Sequence, residues 1–386
     1  MLQDSNSREI VTLGADDRLA RLINLATVGV PGLPDTTIPL LPVTALVGPR
    51  GSGKSRLLAA ISWLLKGEPE LASRGHADGL RVEAVIDDGG RERTIARDAT
   101  TQPTGELPSS MLLTAGTRLD GGTPVTVGQL ELSPAELVIT WLEAHCRRGE
   151  SGSVVLIEEP ELDLNPQTQR YFYRVLRQFG ERNQVIYSTR SPSFVDAVHH
   201  AEIVRLDMSG DRMAIRRAPA ELSTDAQRLR LAAEFDHERG EMFFANAVVL
   251  VEGETERQSL PVIFRSLGHD PDALGIAITE VSGKSNLTLA ATLLAELNIP
   301  RMLVYDSDRG RPGAVLNPVI AAAVGSTPQF ILEPDFEGAA GIRGRKDKVL
   351  RAWIRFAHAS PDEIPLVFHR LVETAVRLAR REPLTG

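Results

Sequence analysis

The sequence predicts an α/β protein built on mostly parallel sheets, and three observations carry that prediction. Short runs rich in valine and isoleucine alternate with helix-length amphipathic stretches almost throughout the 386 residues, the pattern of successive βαβ units. Several of these runs end abruptly in acids, as in "SVVLIEE" (153–159), "AVVLVEGETE" (247–256) and "RMLVYDSD" (301–308). In open α/β sheets ligands bind outside the carboxyl ends of the strands, where such acids would stand. Finally, "GPRGSGKS" (48–55) sits between an apolar run and a helical pattern.

The elements fall into three blocks. Residues 1–215 contain strand candidates "PVTALVG", "SVVLIEE" and "QVIYSTR", with helices at "KSRLLAAISWLL" and "PAELVITWLEAHC". Residues 216–244 belong to a polar stretch that predicts a helical connector. Residues 245–386 hold a second series, "AVVLVEG", "LGIAITEV", "RMLVYDSD" and "QFILEP", closed by the helical, basic-ended "LVFHRLVETAVRLARR". Basic residues at that end suit a helix C-terminus.

Composition narrows the class. Hydrophobic content of 42% and charged content of 24% are ordinary for a globular protein. No apolar run approaches the ~18 residues needed to span a bilayer, and the start lacks a secretory pattern. The single cysteine, Cys146, excludes an internal disulfide framework and a cysteine-rich zinc site. A soluble cytoplasmic protein, with no membrane partner, is expected. A net charge of −8 excludes a uniformly basic nucleic-acid coat. A local basic face is still visible at 342–356, "IRGRKDKVLRAWIRF", with six Lys/Arg against one acid; a solvated helix face is the plainer reading. Trp353 and Phe356 in that stretch are expected in the core, and the neighbouring His199 and His200 at a helix end or on the surface.

The strongest motif is "GPRGSGKS", which satisfies G-x-x-x-x-G-K-[ST] with Gly48, Gly53, Lys54 and Ser55. The loop Gly48, Arg50, Gly51, Ser52 and Gly53 would offer backbone N–H groups to the phosphates of ATP, helped by the following helix N-terminus. Lys54 would reach the β- and γ-phosphates, and Ser55 would hold Mg²⁺. At the end of the "SVVLIEE" run, Glu158 is placed to bind that Mg²⁺ through water. Glu159 is placed to orient or deprotonate the attacking water.

A second acidic set lies in the last block. Glu252 ends a strand, Gly253 makes the turn, and Glu256 follows one helical turn later. Asp306 and Asp308, two apart in extended backbone, can face the same way. Between them "EVSGKSN" (280–286) offers Gly283 for close backbone approach. Hard oxygen ligands without His or Cys suit Mg²⁺ or Mn²⁺. Like charges so close would repel, and a metal is the simplest neutraliser. A solvated helix start is the competing reading of the glutamates.

With these motifs in place, the first block resembles the ABC-type ATPases, including their SMC-like and RecF-like branch. The resemblance places Ser133 of "LSPAE" (132–136) as the signature serine, with Pro134 and Ala135 where glycines are usual. It places Arg190 where a histidine is usual, and Glu158 where an aspartate is. The last block resembles the Toprim domain. That resemblance implies Glu252, Asp306 and Asp308 as metal carboxylates and Glu256 as a further acid of the nuclease branch. In "LEPDFEGAAG" it implies Glu337 as another ligand, ahead of Glu333 or Asp335, and a catalytic lysine at Lys346 or Lys348.

An ABC-type ATPase followed by Toprim resembles the OLD (overcoming lysogenisation defect) family. What this implies is an ATP-binding, Mg²⁺-dependent DNA endonuclease or nickase, a homodimer, acting in phage defence or DNA repair, with room for an accessory defence or repair protein. Hydrolysis would use one metal to activate the nucleophile and a second to stabilise the leaving oxygen. The alternative is a RecF/SMC-like DNA-repair ATPase whose Toprim domain binds DNA without cutting it.

Overall fold

The computed structural model describes residues 20–67, 79–98, 100–104, 107–113, 126–127, 130–131, 133–209, 212–222, 224, 239–342 and 347–384. The strands are β1 (Ala20–Val28), β2 (Thr36–Pro39), β3 (Val43–Val47), β4 (Arg81–Asp88), β5 (Glu92–Asp98), β6 (Ser109–Leu113), β7 (Thr126–Val127), β8 (Leu130–Glu131), β9 (Ser153–Glu158), β10 (Gln184–Ser188), β11 (Ile203–Ser209), β12 (Arg212–Arg217), β13 (Ala247–Val251), β14 (Ile276–Glu280), β15 (Arg301–Asp306) and β16 (Gln329–Leu332). The helices are α1 (Lys54–Lys66), α2 (Pro134–Arg147), α3 (Pro166–Gly180), α4 (Glu254–Ser266), α5 (Pro271–Leu274), α6 (Leu287–Glu296), α7 (Asn317–Val324), α8 (Phe336–Ala339), α9 (Lys348–Ala357) and α10 (Leu366–Arg380).

By compactness the chain forms two units. One comprises Met1–Thr44, Ser55–Leu164 and Tyr171–Tyr187; the other comprises Ala45–Lys54, Asn165–Arg170 and Ser188–Gly386.

In the first unit an antiparallel sheet runs β2-β1-β4-β5. The expectation of mostly parallel sheets does not extend to it. Its strands alternate: β4 buries Val82, Ala84 and Ile86 while the residues between them stay partly or fully exposed. Such period-2 strands lack the continuous apolar run by which a parallel strand is recognised. β6 and β9 pair in parallel, from Ser109 against Ser153 to Leu113 against Ile157. β9 buries Val154 to Ile157, so it reads as a covered strand and delivers its acids at the end. The amphipathic α3 buries Phe172, Tyr173, Val175, Leu176 and Phe179.

In the second unit Ala45–Val47 of β3 pairs in parallel with Ile203–Arg205, and β11 turns back antiparallel into β12. Part of the expected helical connector is therefore strand; residues 225–238 lie outside the described residues. A second sheet, β14-β13-β15-β16, is parallel throughout. Its central strands are β13 and β15, in register with Val251 opposite Val304. Every residue of β13 is buried. Helices α4, α9 and α10 supply Leu260, Ile263, Ala352, Phe356, Phe368, Leu371 and Val372 to one core with these strands. Phe368 packs against both Phe336 and Phe356 at ring-centre distances of 5.5 Å. Burying each such ring is worth about 1.5–3 kcal/mol. Phe356 is a core residue as expected. Trp353 is not: it is 48% exposed, alongside Leu350 and Ile354 on the outer face of α9. His199 and His200 lie in the last turn of a short 3-10 helix, Ala197–Glu202, as the helix-end reading expects, but His200 is buried there, its ring nitrogens 3.1 Å from the carbonyls of Ala197 and Pro219. Among the described residues no helix is long and apolar enough to cross a membrane.

Candidate functional site

The nucleotide-type loop forms where its motif lies. β3 is buried along its length, leads into the loop, and α1 begins at Lys54. Gly48, Gly51 and Gly53 take φ of 138°, 80° and 93°, values that favour glycine. Gly48 is also needed for space, because a Cβ there would stand 2.1 Å from the carbonyl oxygen of Leu206. Lys54 Nζ donates to the carbonyls of Gly48 at 2.7 Å and Pro49 at 3.0 Å, pulled back along its own loop. Among the described residues no hydrogen-bond partner reaches the buried Ser52 Oγ. Arg50 and Gly51 are exposed.

Ser55 Oγ donates to Glu158 Oε1. Residues 103 apart in sequence thus meet at the end of β9. Glu159 has a left-handed backbone, φ 49°, a conformation that costs a non-glycine residue free energy and clusters at functional sites. Ser133 caps α2: its Oγ accepts from Glu136 N at 3.3 Å, while Glu136 Oε2 accepts from Ser133 N at 2.8 Å. The "SPAE" of the signature-like segment is therefore a capping box, the S-x-x-E pattern read by physics alone. Arg190 is exposed, just past β10.

The acids of the second unit cluster at the ends of β13 and β15. Glu252 follows β13, and its Oε2 lies 3.4 Å from the Asp306 amide. Glu256 is on the first turn of α4 and only 5% exposed. Burial, with the charges of Asp306, Glu252 and Glu337 adding, pushes its carboxyl up to about 8. Burial followed by Glu252, Asp335 and Glu337 pushes Asp306 up to about 7, against a 2.8 Å hydrogen bond from the Phe336 amide. Glu252 is raised as well, by burial first, with Lys284 opposing. These groups are held back from ionising by desolvation and by one another.

Glu337, on α8, is 9% exposed and pairs with Lys348 at 2.6 Å. That places Lys348 beside the cluster; Lys346, with Arg343 and Arg345, lies outside the described residues. The two other acids of the segment are otherwise engaged. Glu333 accepts from Ser307 Oγ at 3.1 Å, and Asp335 caps α8 through the Gly338 amide at 2.9 Å.

The residue that sequence reading missed is Lys284. Its Nζ lies 2.6 Å from Asp308 Oδ2, 2.6 Å from the Asp306 carbonyl and 3.8 Å from Glu252 Oε2. In "EVSGKSN" the glycine drew attention as a backbone feature, while a lysine in a turn reads as solvated. The signal that was available is the excess of acids, which a buried cation would offset.

The donor set fits a hard divalent ion: it is oxygen-only, clustered and largely buried. Among the described residues no three carboxylate, His or Cys side chains converge on one point as they stand. Glu252 and Glu256 flank one strand–helix junction, after β13 and on the first turn of α4.

Fold and site define the class: an ABC-type P-loop ATPase domain followed by a Toprim domain. Residues 243–308 match the family described as overcoming lysogenization defect protein-like, TOPRIM domain. Residues 132–196 match an AAA domain family described by reference to the AbiEii toxin and type IV TA systems. The chain is 34% identical over 242 residues to the OLD nuclease of Thermus scotoductus, covering 56% of this chain and 46% of that one. It is 26% identical over 166 residues to the Old nuclease of Escherichia phage P2, covering 41% of this chain and 28% of that one. Each match thus spans less than half of the relative. Among solved structures, the C-terminal region of the Xanthomonas campestris OLD protein aligns at 22% identity over 36% of this chain and 97% of that one, TM-score 0.30. The SMC head domain of Thermotoga maritima aligns at 18% over 52% of this chain and 100% of that one, TM-score 0.36. The resemblance to the OLD family read from the motifs is borne out by the sequence matches.

Proposed function

We propose that the protein is an ATP-binding, metal-dependent DNA endonuclease of the OLD type, with Mg²⁺ or Mn²⁺ as its ion. The observation that carries this reading is the gathering of buried and half-buried carboxylates, Glu252 after β13, Glu256 on the first turn of α4 and Asp306 at the end of β15, each raised above its ordinary range chiefly by burial. A site that only bound DNA phosphates would gain nothing from burying acids next to them. Glu256, Asp306 and Glu337 would hold the ion, with Glu252 beside them. When bound, a divalent ion supplies Lewis-acid stabilisation of charge on a phosphodiester and acidifies water.

The chain's own residues do the rest. The Phe336 amide fixes Asp306, and Lys348 fixes Glu337. Glu256, buried on the first turn of α4, would be the acid placed to take a proton from the attacking water. In the ATPase domain, Gly48 to Lys54 would cradle phosphate, Ser55 and Glu158 would hold magnesium, and Glu159 would position water, with Ser133 and Arg190 contacting nucleotide. Dimerisation, regulation of cutting by ATP and a role in phage defence or DNA repair, with or without an accessory protein, belong to the same reading.

The test is cleavage of supercoiled plasmid by the purified chain with Mg²⁺ or Mn²⁺, each with and without ATP. Nicked or linear product that EDTA abolishes is expected. DNA retention in a mobility-shift assay without any cleavage would favour the non-cutting repair ATPase instead.

A further inference from the structure

We propose that the open edge of β16 and the groove between it and α10 form a docking site for an extended segment of another protein, one in which apolar and acidic side chains alternate. The groove opens at the start of β16, whereas Glu252 and Asp306 stand where β13 and β15 end. In a parallel sheet those are opposite ends, so this surface is independent of the acidic centre.

Among the described residues β16 is the last strand of its sheet and pairs on one side only, with β15. Leu303 N donates to Pro328 O at 3.0 Å and Ser307 N to Leu332 O at 2.9 Å, so the even-numbered residues turn their backbone groups towards β15. Gln329 and Ile331 turn theirs outward, a row of donors and acceptors on which a further strand can form. Charges usually guard such an edge. Here residues 312–332 contain no Lys, Arg, Asp, Glu or His.

The two faces beside the edge differ. Leu332 and the half-buried Phe330 pack into the core formed with α4, α9 and α10. Ile331 points the other way and is 42% exposed. The β13–α4–β14 and β15–α7–β16 units step across the sheet in opposite directions, so right-handed crossovers put α7 on the Ile331 side. Val319 of α7 is 58% exposed, and an added strand would bury its own apolar side chains on that side. On the α10 side lies a groove of about 510 Å³ lined by Phe330, Arg370, Glu373, Thr374, Arg377 and Leu384. Arg377 pairs with Glu373 at 2.9 Å. Arg370 is exposed and, among the described residues, makes no ion pair. The groove is therefore left with positive charge, on a chain whose net charge is −8. Every second side chain of an added strand would enter it, and an acidic one would meet Arg370 in a charge-assisted hydrogen bond. A second copy of β16 would bring "TPQFIL" (327–332), which carries no acid, so a segment of another protein suits the groove better.

The probe is a fluorescein-labelled peptide of four Val-Glu repeats, titrated into the full chain and followed by fluorescence anisotropy. Saturable binding is expected, weakened at least about ten-fold by Arg370→Glu, the scale of a lost charge-assisted contact. Two control peptides should fail to bind: a Val-Lys repeat, and a Val-Glu repeat N-methylated at alternate residues so that it cannot pair with an edge. No saturable binding by the wild-type chain would overturn the proposal. So would equal affinity for either control peptide, or unchanged affinity in Arg370→Glu. Sedimentation of the chain alone supplies the other check: a wild-type dimer that Ile331→Lys converts to monomer would assign the edge to a second copy and overturn the proposal too. Comparison of the three peptides on the wild-type chain decides the matter even should a variant fail to fold.

Discussion

Arg381 donates to both carboxylate oxygens of Asp207, at 2.9 and 2.8 Å, across 174 residues of chain. Asp207, on β11, also accepts from Asn298 Nδ2 at 3.1 Å, and Arg205 NH1 reaches the carbonyls of Leu297 and Asn298 at 3.0 Å. The network ties β11 to the segment that leads into β15 and to the end of α10. Burial pushes the Asp207 carboxyl up, but the Arg381 hydrogen bonds and the Arg205 charge outweigh it and hold the group below its ordinary range.

The first prediction follows. A carboxylate held low stabilises the fold above its unfolded value, and that stabilisation is lost as pH falls through its folded value. Arg381→Ala should therefore cost about 1–2 kcal/mol at neutral pH, discounted because Arg381 is partly exposed. The difference should shrink as pH falls towards 3. Urea unfolding of both proteins at pH 7 and pH 3 checks this; equal midpoints at pH 7 would show that the pair carries no energetic weight.

None of that network is visible in the sequence, because Asp207, Asn298 and Arg381 are each ordinary surface types until topology brings them together. The site elements were more legible. β3, β9, β13 and β15 announce themselves as continuous apolar runs because both faces are covered, and the acids that end them follow directly. Lys54, Ser55 and Glu158 were readable from a motif whose spacing is set by phosphate geometry. Lys284 was not, since burial and partners decide its role. The antiparallel β1, β2, β4 and β5 escaped because half of each strand is solvent-facing.

The raised carboxyls give a second prediction with the opposite sign. Glu256 and Asp306 sit at about 8 and about 7, above their unfolded values. Folding is then favoured by their protonation: the stabilisation is full below about pH 4 and drains away as pH rises through 7 and 8. Each group contributes a slope of at most about 1.4 kcal/mol per pH unit. The metal-free protein should melt at a lower temperature at pH 8 than at pH 5.5, and added Mg²⁺ should recover more stability at pH 8. Glu256→Gln should flatten the profile. A metal-free melting temperature that rises over this range in the wild type alone would refute the assignment.

Lys54→Ala forms the third prediction. The lysine now donates to the Gly48 and Pro49 carbonyls, a resting position from which a phosphate would draw it. Losing a charge-assisted contact of about 1.5–3 kcal/mol should weaken nucleotide binding at least ten-fold. Fluorescence anisotropy with a labelled ATP analogue measures this, and unchanged affinity would remove Lys54 from the site.

The fourth concerns Glu159, whose φ of 49° holds its carboxylate at the end of β9 beside Glu158. Glu159→Gln keeps the shape and removes the negative charge. Nucleotide should still bind, whereas phosphate release should slow by roughly a hundred-fold or more, the scale of a lost general base. Wild-type turnover in the variant would mean that another group positions the water.

The last prediction separates the two chemistries. The acids of the ATPase domain, Glu158 and Glu159, end β9, and Ser55 is the partner of Glu158. Glu252, Glu256, Asp306, Asp308 and Glu337 all lie in the β13–α8 segment and answer to one another electrostatically, not to Glu158. Asp306→Ala removes the carboxylate that the Phe336 amide holds in place and whose charge helps raise the Glu256 carboxyl. DNA cleavage should fall by on the order of a thousand-fold, about 4 kcal/mol of lost metal-assisted stabilisation. Two further consequences mark the loss as local. ATP hydrolysis should persist within about two-fold, and the Glu256 carboxyl, relieved of one negative neighbour, should titrate lower. Both activities are measured on one preparation, with circular dichroism to confirm folding and Mn²⁺ binding to report the site itself. Retained cleavage would take Asp306 out of the metal centre, and joint loss of ATPase and nuclease in a folded protein would show that the two sites depend on each other.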